Sequence, residues 1–340
     1  MGLETIRDGV ALETREHAPA TGAETLVVWG HGLCNSMGGE DVERLWDFWR
    51  CPEGDPFAET ARVVRYHARG HGLSSRASSP DQCTWEALGD DMLALARLKR
   101  VRTPSKGDDA FPGDGISRDE GGETRGVSET SPPAVRREKL VLGGASMGSA
   151  SAVFAAKRAL EEARGTWRGS SLNGSERQTR EPEIDGLVLV IAPTLGATRA
   201  ARARKIAAAA ARGYDATAAR RKPRPIFKNS ARELEPATPL GVREDSFASV
   251  MRASASSDLP DEATLRRTFE ETTDAARAKK NAPPPPRVLV LCWDCGDETH
   301  PASSAAALKS AIPHARVEVA TSLEQVEKWG ETIRGFIRSL

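Results

Sequence analysis

The stretch from Lys139 to Ala156, KLVLGGASMGSASAVFAA, constrains the fold more than any other part of the chain. Leu140, Val141 and Leu142 form a short apolar run that suits a strand buried on both faces. Gly143 and Gly144 break that run. Ala145, Ser146, Met147 and Gly148 follow, and small residues continue at helical spacing through Ala152, Val153, Ala155 and Ala156. A strand and a helix joined by Gly-x-Ser-x-Gly imply a sharp turn with the serine in strained φ/ψ and no room for flanking Cβ atoms. The hydroxyl then projects above the strand ends, and the start of the next helix offers backbone N–H groups to an anion. This is the nucleophile-elbow pattern, against the plainer alternative of an ordinary Gly-rich strand-to-helix turn.

The rest of the chain supplies the surroundings such a turn needs. Val10 to Glu13 reads as a short opening strand, and Thr25 to Trp29 as a stronger one running into Gly30-His31-Gly32-Leu33. Val42, Leu45, Trp46 and Trp49 have helical spacing. Ala61 to Tyr66 is the next strand and feeds Ala68-Arg69-Gly70-His71-Gly72. Trp85 to Leu98 is again helical. After the elbow, strands are expected over Leu187 to Ile191, Val288 to Cys292 and Ala315 to Ala320, with helices over Ser304 to Ala311 and Leu323 to Ile337. Strand alternating with helix argues for an α/β fold with a mostly parallel sheet covered on both faces.

Three stretches interrupt the alternation. Residues 103–136 and 168–182 are rich in Gly, Ser, Pro and charge and show no periodicity, which predicts a disordered insert and a polar surface loop. Residues 193–286 carry helical patterns over Thr198 to Ala219 and Ala263 to Lys279 and end in Pro283 to Pro286. That block is too long for a loop and lacks strands, so a helical cap after the sixth strand is expected. The implied division is 1–192 and 287–340 for the two parts of the core, with 193–286 between them.

With 340 residues, 39% of them hydrophobic, the chain can bury a sizeable core. Basic and acidic residues are equal in number at 48 each, so no net field points to nucleic acid or an anionic membrane. No run is apolar and long enough to span a bilayer. The N-terminal stretch lacks an apolar signal core, and the odd set of five cysteines suits reduced thiols, so a cytoplasmic protein is expected. Cys292 and Cys295 form a lone C-x-x-C. No spacing suits a metal, and neither phosphate-binding glycine motif is complete, so no cofactor is expected.

In these segments the sequence resembles the α/β-hydrolase superfamily, most closely its single-domain esterase, lactonase and haloperoxidase-like branch. The likeness spans roughly Glu24 to Leu340 outside the two polar inserts. It rests on four segments in order: His31-Gly32-Leu33, Arg69-Gly70-His71-Gly72, the elbow at Ser146, and Asp297 in Gly-Asp-x-x-His-Pro after the next-to-last strand. The resemblance implies Ser146 as nucleophile, the backbone N–H groups of Leu33 and Met147 as oxyanion hole, and Asp297 as the acid that orients a histidine. Asp294 and Glu298 are less well placed, and a solvated loop carboxylate is the plain alternative for Asp297.

The departure from that pattern is the base. The superfamily's histidine follows the last strand, where this chain has Thr321-Ser322-Leu323-Glu324-Gln325, and no histidine occurs after His314. His314 precedes its strand and so belongs at the wrong end of the sheet. His300 lies three residues from Asp297 on the same loop and is the candidate base. His31, beside the oxyanion loop, is a possible alternative, although that position and His71 more often brace local backbone. The function expected is a serine hydrolase of a small or medium carboxylic ester or lactone, acting through an acyl-enzyme. A haloperoxidase-like or acyl-transfer variant is a lesser reading. The rival from another class is a non-catalytic protein of the same fold that binds a small apolar ligand or a partner, for which the missing terminal histidine would be the reason.

Overall fold

Short, unbroken apolar strands build the centre of the molecule. The computed structural model describes residues 1–18, 23–43, 47–50, 61–100, 137–163, 184–195, 199–220, 239–269 and 285–340. Among the described residues one sheet of eight strands runs in the order β1-β2-β4-β3-β5-β6-β7-β8. They are β1 (Gly2–Thr5), β2 (Ala11–His17), β3 (Thr25–Gly30), β4 (Ala61–Tyr66), β5 (Lys139–Ala145), β6 (Gly186–Val190), β7 (Arg287–Trp293) and β8 (Arg316–Ala320). From β4 to β8 all neighbours are parallel, while β1 and β2 add an antiparallel edge.

Successive residues serve opposite faces of the sheet, as strand geometry requires. Leu26, Val28, Leu140, Leu142, Leu187, Leu189, Val288 and Val290 pack on one side with helices α2 (Trp85–Lys99), α3 (Met147–Ala163) and α8 (Ala302–Ala311). Val27, Trp29, Val141, Val188, Leu289, Leu291 and Trp293 pack on the other, against Phe48, Trp49 and the C-terminal α9 (Leu323–Glu327) and α10 (Trp329–Arg338). Both faces are therefore dry, which is why these strands read as unbroken apolar runs. Since the parallel strands share a direction, the loops after β3, β4, β5, β6, β7 and β8 gather at one end of the sheet, where open α/β sheets bind ligands.

Between β6 and β7 the chain makes α4 (Arg199–Arg212), α5 (Tyr214–Ala219), α6 (Glu244–Ser256) and a helical stretch, α7, at 262–269. Phe247, Val250 and Met251 of α6 pack with Ala77 and Cys83 from the chain that follows β4. Buried Arg202 ties α4 to α6: it donates to Thr194 Oγ1 and to the carbonyls of Ser254 and Ser257, and its guanidinium lies 4.5 Å over the Trp85 ring.

The structure differs from the sequence expectation in several places. β1 has no apolar alternation to announce it; it forms because a turn at Asp8 and Gly9, both with positive φ, folds it back on β2 at an exposed edge. Helix α1 (Met37–Glu43) ends before Trp49, which lies in a turn where its ring carries the buried Arg65 guanidinium at 4.0 Å. The single C-terminal helix expected from Leu323 is two, separated at Lys328. The insert expected over 103–136, the loop over 168–182 and most of the polar helix past Phe269 lie outside the described residues.

Candidate active site

The elbow is held by close backbone approaches. β5 ends at Ala145, α3 begins at Met147, and Ser146 between them has φ +51°. Such a conformation in a non-glycine residue costs on the order of 1–3 kcal/mol and persists only where the surroundings enforce it. Here the Ser146 N–H donates to Val190 O of β6 at 2.9 Å. The first turn of α3 also presses against the end of β3: a Cβ on Gly148 would lie 1.9 Å from Gly30 O, and one on Gly144 would lie 2.3 Å from the same oxygen. Only glycine fits at either place.

The serine hydroxyl donates to His300 Nε2 at 2.7 Å. On the far side of the ring, His300 Nδ1 donates to Asp297 Oδ2 at 2.7 Å. Asp297 and His300 share the loop between β7 and α8. Burial works to raise the Asp297 pKa, but the hydrogen bond from His300, the charge that ring carries when protonated and the Thr299 donors prevail and hold the carboxyl well below the usual range. An ionised Asp297 keeps the proton of a neutral His300 on Nδ1 and leaves Nε2 as the acceptor facing Ser146. The His300 ring meets Trp293 edge to face at 6.5 Å, and Trp293 stacks on Trp329 at 6.0 Å.

The loop after β3 passes beside the serine, since a Cβ on Gly32 would lie 3.7 Å from Ser146 Cβ. Neither the Leu33 nor the Met147 N–H donates to any group among the described residues. Unpaired N–H groups on segments beside a hydroxyl can serve a carbonyl oxygen that gains negative charge. The β3 loop is in turn fastened from the segment leading into α6. The Gly241 N–H donates to Cys34 O, and a Cβ at Gly241 would fall 1.9 Å from Asn35 O.

His31, the possible alternative base, has both ring nitrogens engaged away from Ser146. Its Nδ1 donates to Gly32 O at 2.8 Å, its Nε2 accepts the Ala68 N–H at 3.0 Å, and it is fully buried. Burial, with His71 and His67 close by, holds its pKa well below the ordinary value. His71 donates to Arg69 O, and burial pushes its pKa down to about 4. His314 donates to Pro286 O at the start of β7, the opposite end of the sheet from Ser146. Among the described residues neither Asp294 nor Glu298 bonds a histidine, and no group of three or more His, Cys, Asp or Glu side chains could hold a metal ion. Cys292 and Cys295 are free and pack on opposite faces of the sheet, so the C-x-x-C forms no pair.

One participant escaped the sequence analysis. Thr299 donates to Asp297 Oδ1 through both its N–H (2.8 Å) and its hydroxyl (2.6 Å). The signal was present in Asp-x-Thr, a spacing at which an aspartate carboxylate accepts the backbone N–H two residues on.

No family model and no curated protein matches the chain. Solved structures do. A hydrolase from Pseudomonas aeruginosa PA01 is 20% identical with a TM-score of 0.55, covering 99% of this chain and 97% of its own. An enol-lactonase from Burkholderia xenovorans LB400 is 18% identical with a TM-score of 0.54, covering 99% and 100%. A carboxylesterase structure from the thaumarchaeon Nitrososphaera gargenis is 13% identical with a TM-score of 0.57, covering 99% and 98%. Together with the strand order, these likenesses identify the α/β-hydrolase fold.

Proposed function

We propose that this chain of α/β-hydrolase fold is a serine hydrolase of small or medium carboxylic esters or lactones, working through an acyl-enzyme on Ser146. The observation that carries the proposal is the continuous relay from Ser146 Oγ to His300 Nε2 and from His300 Nδ1 to Asp297 Oδ2, both at 2.7 Å. Ser146 Oγ attacks the acyl carbon as its proton passes to His300 Nε2, and Asp297 stabilises the imidazolium that forms. The carbonyl oxygen gains its charge between the N–H groups of Leu33 and Met147. Collapse of the tetrahedral intermediate expels the alcohol, which takes the proton back from His300. A water activated by the same base then releases the acid.

Residues 193–286 are the cap in this proposal. Support comes from α6 and the segment before it, which bond the loops after β3 and β4 through Gly241, Arg243 and Ser246. Lactonase and esterase names among the structural neighbours agree with the substrate class. The free thiols Cys83, Cys292 and Cys295 fit a reducing, cytoplasmic setting. The rival non-catalytic binder drew on the absence of a histidine after β8; a base reaching Ser146 from the β7 loop favours the enzyme.

The test is labelling with a fluorophosphonate probe, mapped by mass spectrometry. Rapid modification confined to Ser146, lost in Ser146→Ala and in His300→Ala, is the expected result. A folded protein that the probe leaves untouched would refute the proposal.

A further inference from the structure

We infer that Thr299 is a positioning residue that locks the Asp297 carboxylate onto His300; this rests on the hydrolase reading above. Acid and base stand only three residues apart on one loop. Their side chains are 23% and 18% exposed, so water reaches both and can compete for the carboxylate. Thr299 occupies one of its oxygens from within the loop. Its N–H and hydroxyl both donate to Oδ1, leaving Oδ2 to accept from His300 Nδ1.

The Thr299 oxygen also lies 3.1 Å from His300 Nδ1. With its own proton committed to Asp297, that oxygen presents only lone pairs to the ring. The Nδ1 proton is thus shared between Asp297 Oδ2 and Thr299 Oγ1, and the three groups close a ring. When His300 takes the proton of Ser146, both acceptors face the cation that forms. Threonine suits the place because its branched Cβ restricts χ1 and keeps the hydroxyl aimed. Thr299 touches neither substrate nor the reacting atoms; it acts through Asp297 and His300.

The competing account is a turn-stabilising threonine whose shape alone matters. Thr299→Val keeps the shape and removes the hydroxyl; Thr299→Ser keeps the hydroxyl and removes the methyl. Fluorophosphonate labelling rates and kcat and KM for a short p-nitrophenyl ester would be measured on full-length wild type and both variants. Loss of a hydrogen bond to a charged group predicts that Thr299→Val lowers the labelling rate and kcat by about 10- to 100-fold with KM unchanged. Thr299→Ser should stay within about threefold of wild type. Equal rates for the two variants, or a faster Val than Ser variant, would overturn the inference while leaving the hydrolase intact. Wild type that fails to label at Ser146 refutes the hydrolase and this inference with it. Thr299→Ala against Thr299→Ser gives the same comparison with the hydroxyl as the sole difference, should the valine variant not fold.

Discussion

Gly148→Ala tests whether the elbow is set by contact between α3 and β3. The added methyl would begin 1.9 Å from Gly30 O, and real Cβ atoms stay beyond 3.0 Å, so β3 or the first turn of α3 must retreat by the difference. Two effects on stability oppose each other. Replacing glycine by alanine inside a helix gains about 1 kcal/mol. Overpacking against backbone that cannot rotate aside costs about 1–3 kcal/mol. Overpacking wins, and a net loss on the order of 1 kcal/mol is expected in urea unfolding. Activity should suffer far more. Gly30 precedes the loop carrying Leu33, and Gly148 follows Ser146 and Met147 by two residues and one, so the shift separates Ser146 from the Leu33 N–H, its proposed oxyanion donor. A displacement of about 1 Å at reacting groups costs about 100-fold in rate. The assay is the fluorophosphonate labelling rate beside the urea midpoint. Labelling within about threefold of wild type at an unchanged midpoint would refute the packing argument.

Other consequences are equally direct. Asp297→Asn removes the charge that fixes the His300 tautomer and should lower kcat for ester hydrolysis by about 10⁴-fold with little change in folding, read by turnover and circular dichroism. Fully buried His71 titrates near pH 4 when folded and near 6.5 when unfolded, so between those values the unfolded chain binds the extra proton and stability falls with falling pH. The loss approaches about 3 kcal/mol by pH 4. Its neighbour His31, whose pKa burial also holds well below the ordinary value, adds to the slope. His71→Asn should flatten the pH dependence of the urea midpoint between pH 6.5 and 4, and an unchanged slope would show that the residue does not titrate there. Arg202→Ala leaves the carbonyls of Ser254 and Ser257 without their donor and uncovers Trp85, so a loss of about 3 kcal/mol in urea unfolding is expected.

The central sheet was legible because β3, β5, β6 and β7 are dry on both faces, so nothing polar interrupts their apolar runs. The elbow was legible for a related reason: close approach of three backbones forces glycine at Gly144 and Gly148, and that spacing survives in the sequence. His300 could be nominated because the distance from Asp297 is local. What stayed hidden depends on contacts between remote residues. β1 has a polar edge sequence and exists through pairing with β2. Trp49 continues a helical spacing but is taken into a turn by Arg65 and the face beneath Trp29. His31 adjoins the serine in sequence logic, yet the Ala68 N–H, on the chain after β4, claims the nitrogen that a base would need. Gly241 bonds a loop some two hundred residues earlier, and no local pattern announces it.

The proposed relay houses acid and base on one turn, which frees another part of the molecule. The turn between β8 and α9, Thr321-Ser322, lends no proton carrier to the relay; its side chains are spent on Gln325, closing the start of α9. Lengthening or rewriting that turn should therefore alter the rim of the sheet without touching the chemistry, a latitude denied to any protein that keeps its imidazole there. The converse is concentrated vulnerability: a single deletion between Gly296 and Pro301 would remove the register of proton donor and counter-ion together.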